Sequence, residues 1–424
     1  MDSCAPHGSL IAGERDDTEA TTISTLTAPA PRVTAPATAS RPANPANPAR
    51  HLPSLTGLRW ATAMLIFGHH LMAVEYFGGT AGTVWAFVFE AGKTGVTLFF
   101  ILSGFVLAWG HKPQQSAGSF YWHRFARIYP LHLVGVGLAL VAAATLVPEI
   151  RTAGRAPLVA NVLLVNGWVP DWWQAGNPAS WSLVCEAFFY LSFPFLIRPL
   201  VRLSSRARAG VVVASLVLVA LAPQIAAISP LPMSAASTPL LRLPEFVLGV
   251  TLALLLKSGA WMPWKLRYTL PLAVVGYALS EAPPIPGTDI HPGLAATVGS
   301  FALLVASLAA ADAHGGSTFL ARPLWQELGR VSFAFYLVHL LVIASVSSSW
   351  PDGHPQLPWR HALLLALAAF AIALAIAWVL HRAVEIPAQK WLLRYDRSRH
   401  VSEGTGAAVG GETHASAAGS PAAR

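Results

Sequence analysis

The chain has 424 residues, of which 54% are hydrophobic and only 11% charged, and it carries a net charge of +8. A soluble domain carries about 25% charged residues, so this composition excludes an ordinary soluble protein and implies an integral membrane one. The β-barrel alternative needs ~10-residue segments of alternating polarity, which are absent. Basic residues favour Arg (23) over Lys (5) and sit in short loops, where they set topology. No basic helix or aromatic platform points to nucleic acid.

Residues 1–51 are dominated by Ala, Pro, Thr and Ser and are expected to be a disordered tail. The stretch MDSCAPHGSLIAGERDD has no apolar core of the kind a cleaved signal peptide needs, so none is expected. Apolar runs then predict ten spans, at 57–75, 93–110, 129–148, 180–200, 209–228, 240–257, 269–283, 293–312, 330–349 and 361–385. A second tail is expected over 399–424, which leaves one transmembrane domain over 52–398. The two cysteines, Cys4 and Cys185, fall in a tail and in an apolar span, so no disulfide framework is expected.

The apolar piece 157–169 is too short to span comfortably, and charge argues against a crossing there. The loop with Lys112, Arg124 and Arg127 and the loop with Arg202, Arg206 and Arg208 are both strongly basic and belong on the cytoplasmic side. Two spans between them satisfy this, whereas a third would put one loop outside. The segment 157–179 therefore reads as re-entrant or interfacial, with Trp168, Trp172 and Trp173 in an interface belt. The fold class is an all-α polytopic bundle of about ten spans with both termini cytoplasmic.

Titratable side chains inside a bilayer are costly and mark function. Arg59 and His70 are eleven residues apart in LTGLRWATAMLIFGHHL, close to three helical turns. They share one face roughly 16 Å apart along the axis, whereas His69 points about 100° away. Such a pair suits a ligand with an anionic head and a reactive end in the membrane, the shape of an acyl-coenzyme A. Gly95, Ser103 and Gly104 allow close helix approach or shape a ligand tunnel. Arg124 and Arg127 share a helical face beside Tyr121 and Tyr129, where planar guanidinium donors suit phosphate. Glu186 lies in an apolar helix and must be paired or protonated. It reads either as a partner for an Arg such as Arg242 or as a group that orients a catalytic His or binds an acceptor. Arg242 and Glu245 can pair within one helix, and Arg382 and Glu385 read as a cytoplasmic anchor. Tyr336 and His339 share a face inside a span, placed for a structural hydrogen bond or for substrate. No Cys or His cluster has zinc-ligand spacing, so no metal is expected.

With these residues the chain resembles the acyltransferase-3 family of multi-span membrane acyltransferases over about 52–395. The matching pieces are LTGLRWATAMLIFGHH, GVTLFFILSGF, the Arg-x-x-Arg of HRFAR, SWSLVCEAFFY, SFAFYLVH and VEIP. The family signature of Arg or Lys, ten residues and His implies roles for Arg59 and His70, and its Arg-x-x-Arg maps onto Arg124 and Arg127. The resemblance implies transfer of an acyl group, commonly acetyl, to a hydroxyl of a glycan or a secreted natural product such as a macrolide. A stand-alone form, without the esterase-like domain of some members, is expected. Acyl-CoA is the expected donor, with the phosphates on Arg59, Arg124 and Arg127. His70 is the expected general base, with an acyl-His intermediate as the second possibility; Glu186 is its expected orienting carboxylate, and Tyr336 and His339 are expected to face the acceptor. The Arg-rich, Lys-poor composition fits a GC-rich bacterial genome, and the expected location is a bacterial plasma membrane. The competing class is a proton-coupled transporter that uses the buried His, Glu and Arg as a relay.

Overall fold

The computed structural model describes residues 51–394 with the exception of Asp289. The two tails expected to be disordered therefore fall almost wholly outside the described residues. Among those described, the helices are α1 (Pro53–Ala73), α2 (Gly79–Phe89), α3 (Gly95–Gly110), α4 (Ala117–Thr145), α5 (Arg155–Val162), α6 (Trp181–Arg202), α7 (Ser205–Ile228), α8 (Pro239–Lys257), α9 (Leu266–Leu279), α10 (Pro292–Ala313), α11 (Pro323–Ser347) and α12 (Trp359–Leu380). The one β contact among the described residues is an isolated bridge from Phe77 to Leu357. Eight helical segments there are long and apolar enough to cross a membrane, which defines a polytopic all-α bundle.

The remaining two expected spans, α1 and α9, fall outside those eight for different reasons. Helix α1 is 21 residues long, but Arg59, His69 and His70 dilute its apolar character. Helix α9 has 14 residues and rises only about 21 Å, against a hydrocarbon core of ~30 Å.

Two boundaries differ from the sequence expectation. Helix α4 starts at Ala117 rather than 129, with Ser116 Oγ accepting the Ser119 N–H as an N-cap, and it runs on through Pro130. Its first three turns carry the Arg-x-x-Arg pair, whose charge hides the helix from a hydropathy reading. Helix α2 was not expected: none of its residues is fully buried, Trp85 ties it to α1 by donating to the Gly68 carbonyl at 3.0 Å, and a 3-10 turn over Glu90–Thr94 joins it to α3.

The segment 157–179 is an eight-residue helix followed by short 3-10 turns. Irregular backbone at membrane depth needs internal partners, and three fully buried asparagines supply them. Asn161 Nδ2 donates to Ser180 Oγ (2.8 Å) and Asn166 Nδ2 to the Trp172 and Trp173 carbonyls (3.1 and 3.0 Å). Asn177 Nδ2 donates to the Leu337 carbonyl at 2.8 Å and ties the segment to α11.

Close packing fixes the helices around the site. A Cβ at Gly104 of α3 would lie 2.1 Å from the Phe246 carbonyl, and one at Gly249 of α8 would lie 2.1 Å from the Ile101 carbonyl. The two backbones therefore touch, the device by which small residues associate helices in lipid. On α12 a stripe of Ala362, Ala366, Ala369, Ala373 and Ala377 is the buried face. Helix α1 lies on α11 through Trp60 and Phe67 against Phe335. The start of α1 is held by Asp312 of α10, which accepts the Ser54 N–H at 2.8 Å and the Ser54 hydroxyl at 2.5 Å. A carboxylate here satisfies a free amide and complements the positive end of the helix.

Candidate active site

Because α1 is continuous from Pro53 to Ala73, Arg59 and His70 do lie on one face. Arg59 opens into a cavity between α1, α3, α4, α6 and α11. The cavity collects Arg124 and Arg127 from α4, Ser103 from α3, Ser182, Glu186 and Tyr190 from α6, and Ser332 and Tyr336 from α11. Five of the seven candidate residues, Arg59, Arg124, Arg127, Glu186 and Tyr336, thus line one chamber, while His70 and His339 do not line it and contact each other.

The three arginines differ in how they are held. Arg127 Nη1 lies 3.1 Å from Glu385 Oε1, and the other oxygen of Glu385 is 2.7 Å from His381 Nδ1. Glu385 is only 2% exposed and sits in a π turn, His381–Glu385, that follows α12 within a helical segment continuing to Arg394. The expected anchoring role of Glu385 is therefore corrected: it is a buried ion-pair partner that aims Arg127. The Arg124 guanidinium lies over the faces of Phe120 and Tyr190, 5.8 and 5.7 Å from the ring centroids. Neither Arg59 nor Arg124 has an ion-pair partner among the described residues.

Glu186 accepts the Tyr190 hydroxyl and, at 3.3 Å, the Ser103 hydroxyl. Its suggested pairing with Arg242 is not found, since Arg242 pairs with Glu245 at 3.0 Å and with Thr97 Oγ1 at 2.9 Å. Cys185 is buried and free. The chamber thus holds three guanidinium groups against the Glu186 carboxylate and the Glu385 carboxylate behind Arg127. That excess of positive charge, with two cations uncommitted, suits a polyanionic head group.

Beyond Arg59 the cavity wall turns aromatic and apolar. Phe99 and Tyr336 approach edge to face at 6.0 Å, and Tyr336 Oη is 2.8 Å from Ser182 Oγ. One turn further along α11, His339 Nε2 lies 3.0 Å from His70 Nδ1. The other nitrogen of His339 lies 2.7 Å from the Tyr336 carbonyl and 3.2 Å from the Phe335 carbonyl. His69 faces away, with Nδ1 3.2 Å from the Phe89 carbonyl. Among the described residues no group of three or more His, Cys, Asp or Glu converges as a metal site.

Sequence reasoning passed over Ser182 and Tyr190, and it read Glu385 as an anchor rather than as the partner of Arg127. For Tyr190 there was a signal, its position one turn after Glu186; Glu385 gave none, because its partner is 258 residues away.

A bundle with this chamber belongs to the class of multi-pass membrane acyltransferases. The acyltransferase-3 family profile, described as an acyltransferase domain, matches residues 52–382, and the chain belongs to that family. It is 35% identical over 363 residues to the acyltransferase MdmB of Streptomyces mycarofaciens, covering 81% of this chain and 93% of that protein. It is 26% identical over 161 residues to the peptidoglycan O-acetyltransferase OatA of Listeria monocytogenes, covering 34% of this chain and 24% of that protein. No solved structure matches the chain. The protein is a membrane-embedded acyltransferase, and the transporter reading is set aside.

Proposed function

We propose that the protein moves an acyl group, commonly acetyl, from acyl-CoA to a hydroxyl of a glycan or of a secreted natural product such as a macrolide. The observation that carries this reading is the pair of uncommitted arginines, Arg59 and Arg124, lining one chamber, with His70 three turns further along the Arg59 face of α1. The similarity to a peptidoglycan O-acetyltransferase supports a glycan-like acceptor.

In this reading the CoA phosphates sit on Arg59, Arg124 and Arg127, at the end of the bundle assigned to the cytoplasm by loop charge in a bacterial plasma membrane. The pantetheine arm passes Phe99 and Tyr336 and covers the roughly 16 Å to His70. His70 takes the proton of the acceptor hydroxyl as its oxygen forms a bond to the thioester carbonyl carbon. The tetrahedral intermediate collapses, the C–S bond breaks, and the proton on His70 passes to the departing sulfur. The products are the acyl ester and free CoA thiol, and His70 returns neutral. Glu186, hydrogen-bonded to Tyr190 and Ser103, keeps the chamber from becoming so positive that product CoA is trapped.

The test supplies labelled acetyl-CoA to purified protein in nanodiscs, with a panel of sugar and macrolide acceptors. Label on an acceptor, lost in His70→Ala, is the expected result. Wild-type turnover by His70→Ala would overturn the base assignment, and absence of any CoA binding would overturn the donor.

A further inference from the structure

We infer that His339 is a positioning residue that locks His70 in the tautomer with its proton on Nδ1, so that Nε2 is the free base. The sequence suggested that His339 contacts the acceptor and that a carboxylate such as Glu186 orients His70. The hydrogen bonds assign both roles differently, and this inference rests on the acyltransfer reading above.

A backbone carbonyl oxygen only accepts. His339 Nδ1, 2.7 Å from the Tyr336 carbonyl and 3.2 Å from the Phe335 carbonyl, must therefore carry a proton and donate it. A neutral imidazole has one proton, so His339 Nε2 is left as an acceptor. The atom 3.0 Å from it is His70 Nδ1, which must then be the donor. That leaves the lone pair of His70 on Nε2, the other polar group recorded at its ring being the Ile66 carbonyl one turn back on α1. The direction of the whole chain follows from one carbonyl group.

His339 is suited to this task and poorly suited to an acceptor. It is 1% exposed, and both its nitrogens are engaged within the protein. Its ring lies parallel to that of Phe335, centroids 5.7 Å and planes 11° apart, so the contact and the two hydrogen bonds restrain it together. Glu186 is committed to Tyr190 and Ser103 instead. When His70 becomes protonated in the transition state, its Nδ1–H bond to His339 strengthens, and the Tyr336 carbonyl polarises His339 in the right sense. The pair does with a second imidazole what a carboxylate does in a serine-protease triad, without placing a buried anion beside the thioester.

The test uses full-length protein in nanodiscs. In protein with 15N-labelled histidine, the His70 resonances, assigned by their loss in His70→Ala, are expected to report protonated Nδ1 and bare Nε2. His339→Leu is expected to lower kcat 10- to 100-fold with little change in KM for acetyl-CoA. His339→Gln, whose carbonyl oxygen can still accept from His70 Nδ1, is expected to recover most of that loss. A His70 resonance showing protonated Nε2, or wild-type kcat in His339→Leu, would overturn the inference. Should His70→Ala itself stay active while the tautomer is as stated, the hydrogen-bond assignment stands and the acyltransfer chemistry at His70 falls.

Discussion

Charge and proton position decide the residue scale. A positioned general base contributes typically 10²–10⁴-fold, so His70→Ala should lower kcat by that amount while leaving acyl-CoA binding intact, as measured by steady-state turnover beside calorimetric CoA binding. Arg124 is held by ring faces rather than by an anion, so its guanidinium is free for a ligand. A hydrogen bond to a charged group is worth about 1.5–3 kcal/mol, and Arg124→Ala should weaken CoA binding roughly ten- to hundred-fold with no loss of thermal stability. Arg127 behaves differently because its removal strands Glu385. Arg127→Ala should lower stability as well as CoA affinity, and Arg127→Ala/Glu385→Gln should regain the stability but not the affinity, read by thermal unfolding and CoA titration.

At the scale of elements, the chamber depends on how closely helices approach. Helices α3 and α8 meet through Gly104 and Gly249, each facing a carbonyl of the other. Gly104→Leu has no space that does not push α8 away, and overpacking of this kind costs about 1–3 kcal/mol. The expected outcome is a lower unfolding temperature and lost turnover even though Gly104 touches no proposed substrate, because Ser103 beside it lines the cavity. The π turn at the end of α12 is a second such device. It turns Glu385 inward to Arg127, and π turns of this kind recur at functional sites.

For the whole molecule, orientation gives the site its meaning. If Arg59, Arg124 and Arg127 face acyl-CoA, the start of α1 and of α4 must be cytoplasmic, and so must both termini. A fluorescent protein fused to the C-terminus should fold and fluoresce, while periplasmic alkaline phosphatase fused there should be inactive and one fused in the 350–356 turn should be active. The opposite pattern would put the arginines on the side without acyl-CoA and remove the donor assignment. The structure brings the cationic end and the histidine pair to opposite ends of one face of α1, so donor head group and reacting carbonyl are separated by most of that helix.

The sequence alone determined the membrane class, most of the helices and the pairing of Arg59 with His70, because hydropathy and a helical repeat are local properties. It also separated His70 from His69, since adjacent residues point about 100° apart on any helix. It misjudged the start of α4, where charge masked a helix, and overlooked α2. The tertiary structure decided which polar groups meet. His339 faces His70 across 269 residues of chain, and Glu385 faces Arg127 across 258. Glu186 turned to Tyr190 rather than to a histidine or Arg242. No local pattern encodes such partnerships: a buried polar group must find a partner, and which one it finds is set by how the helices pack.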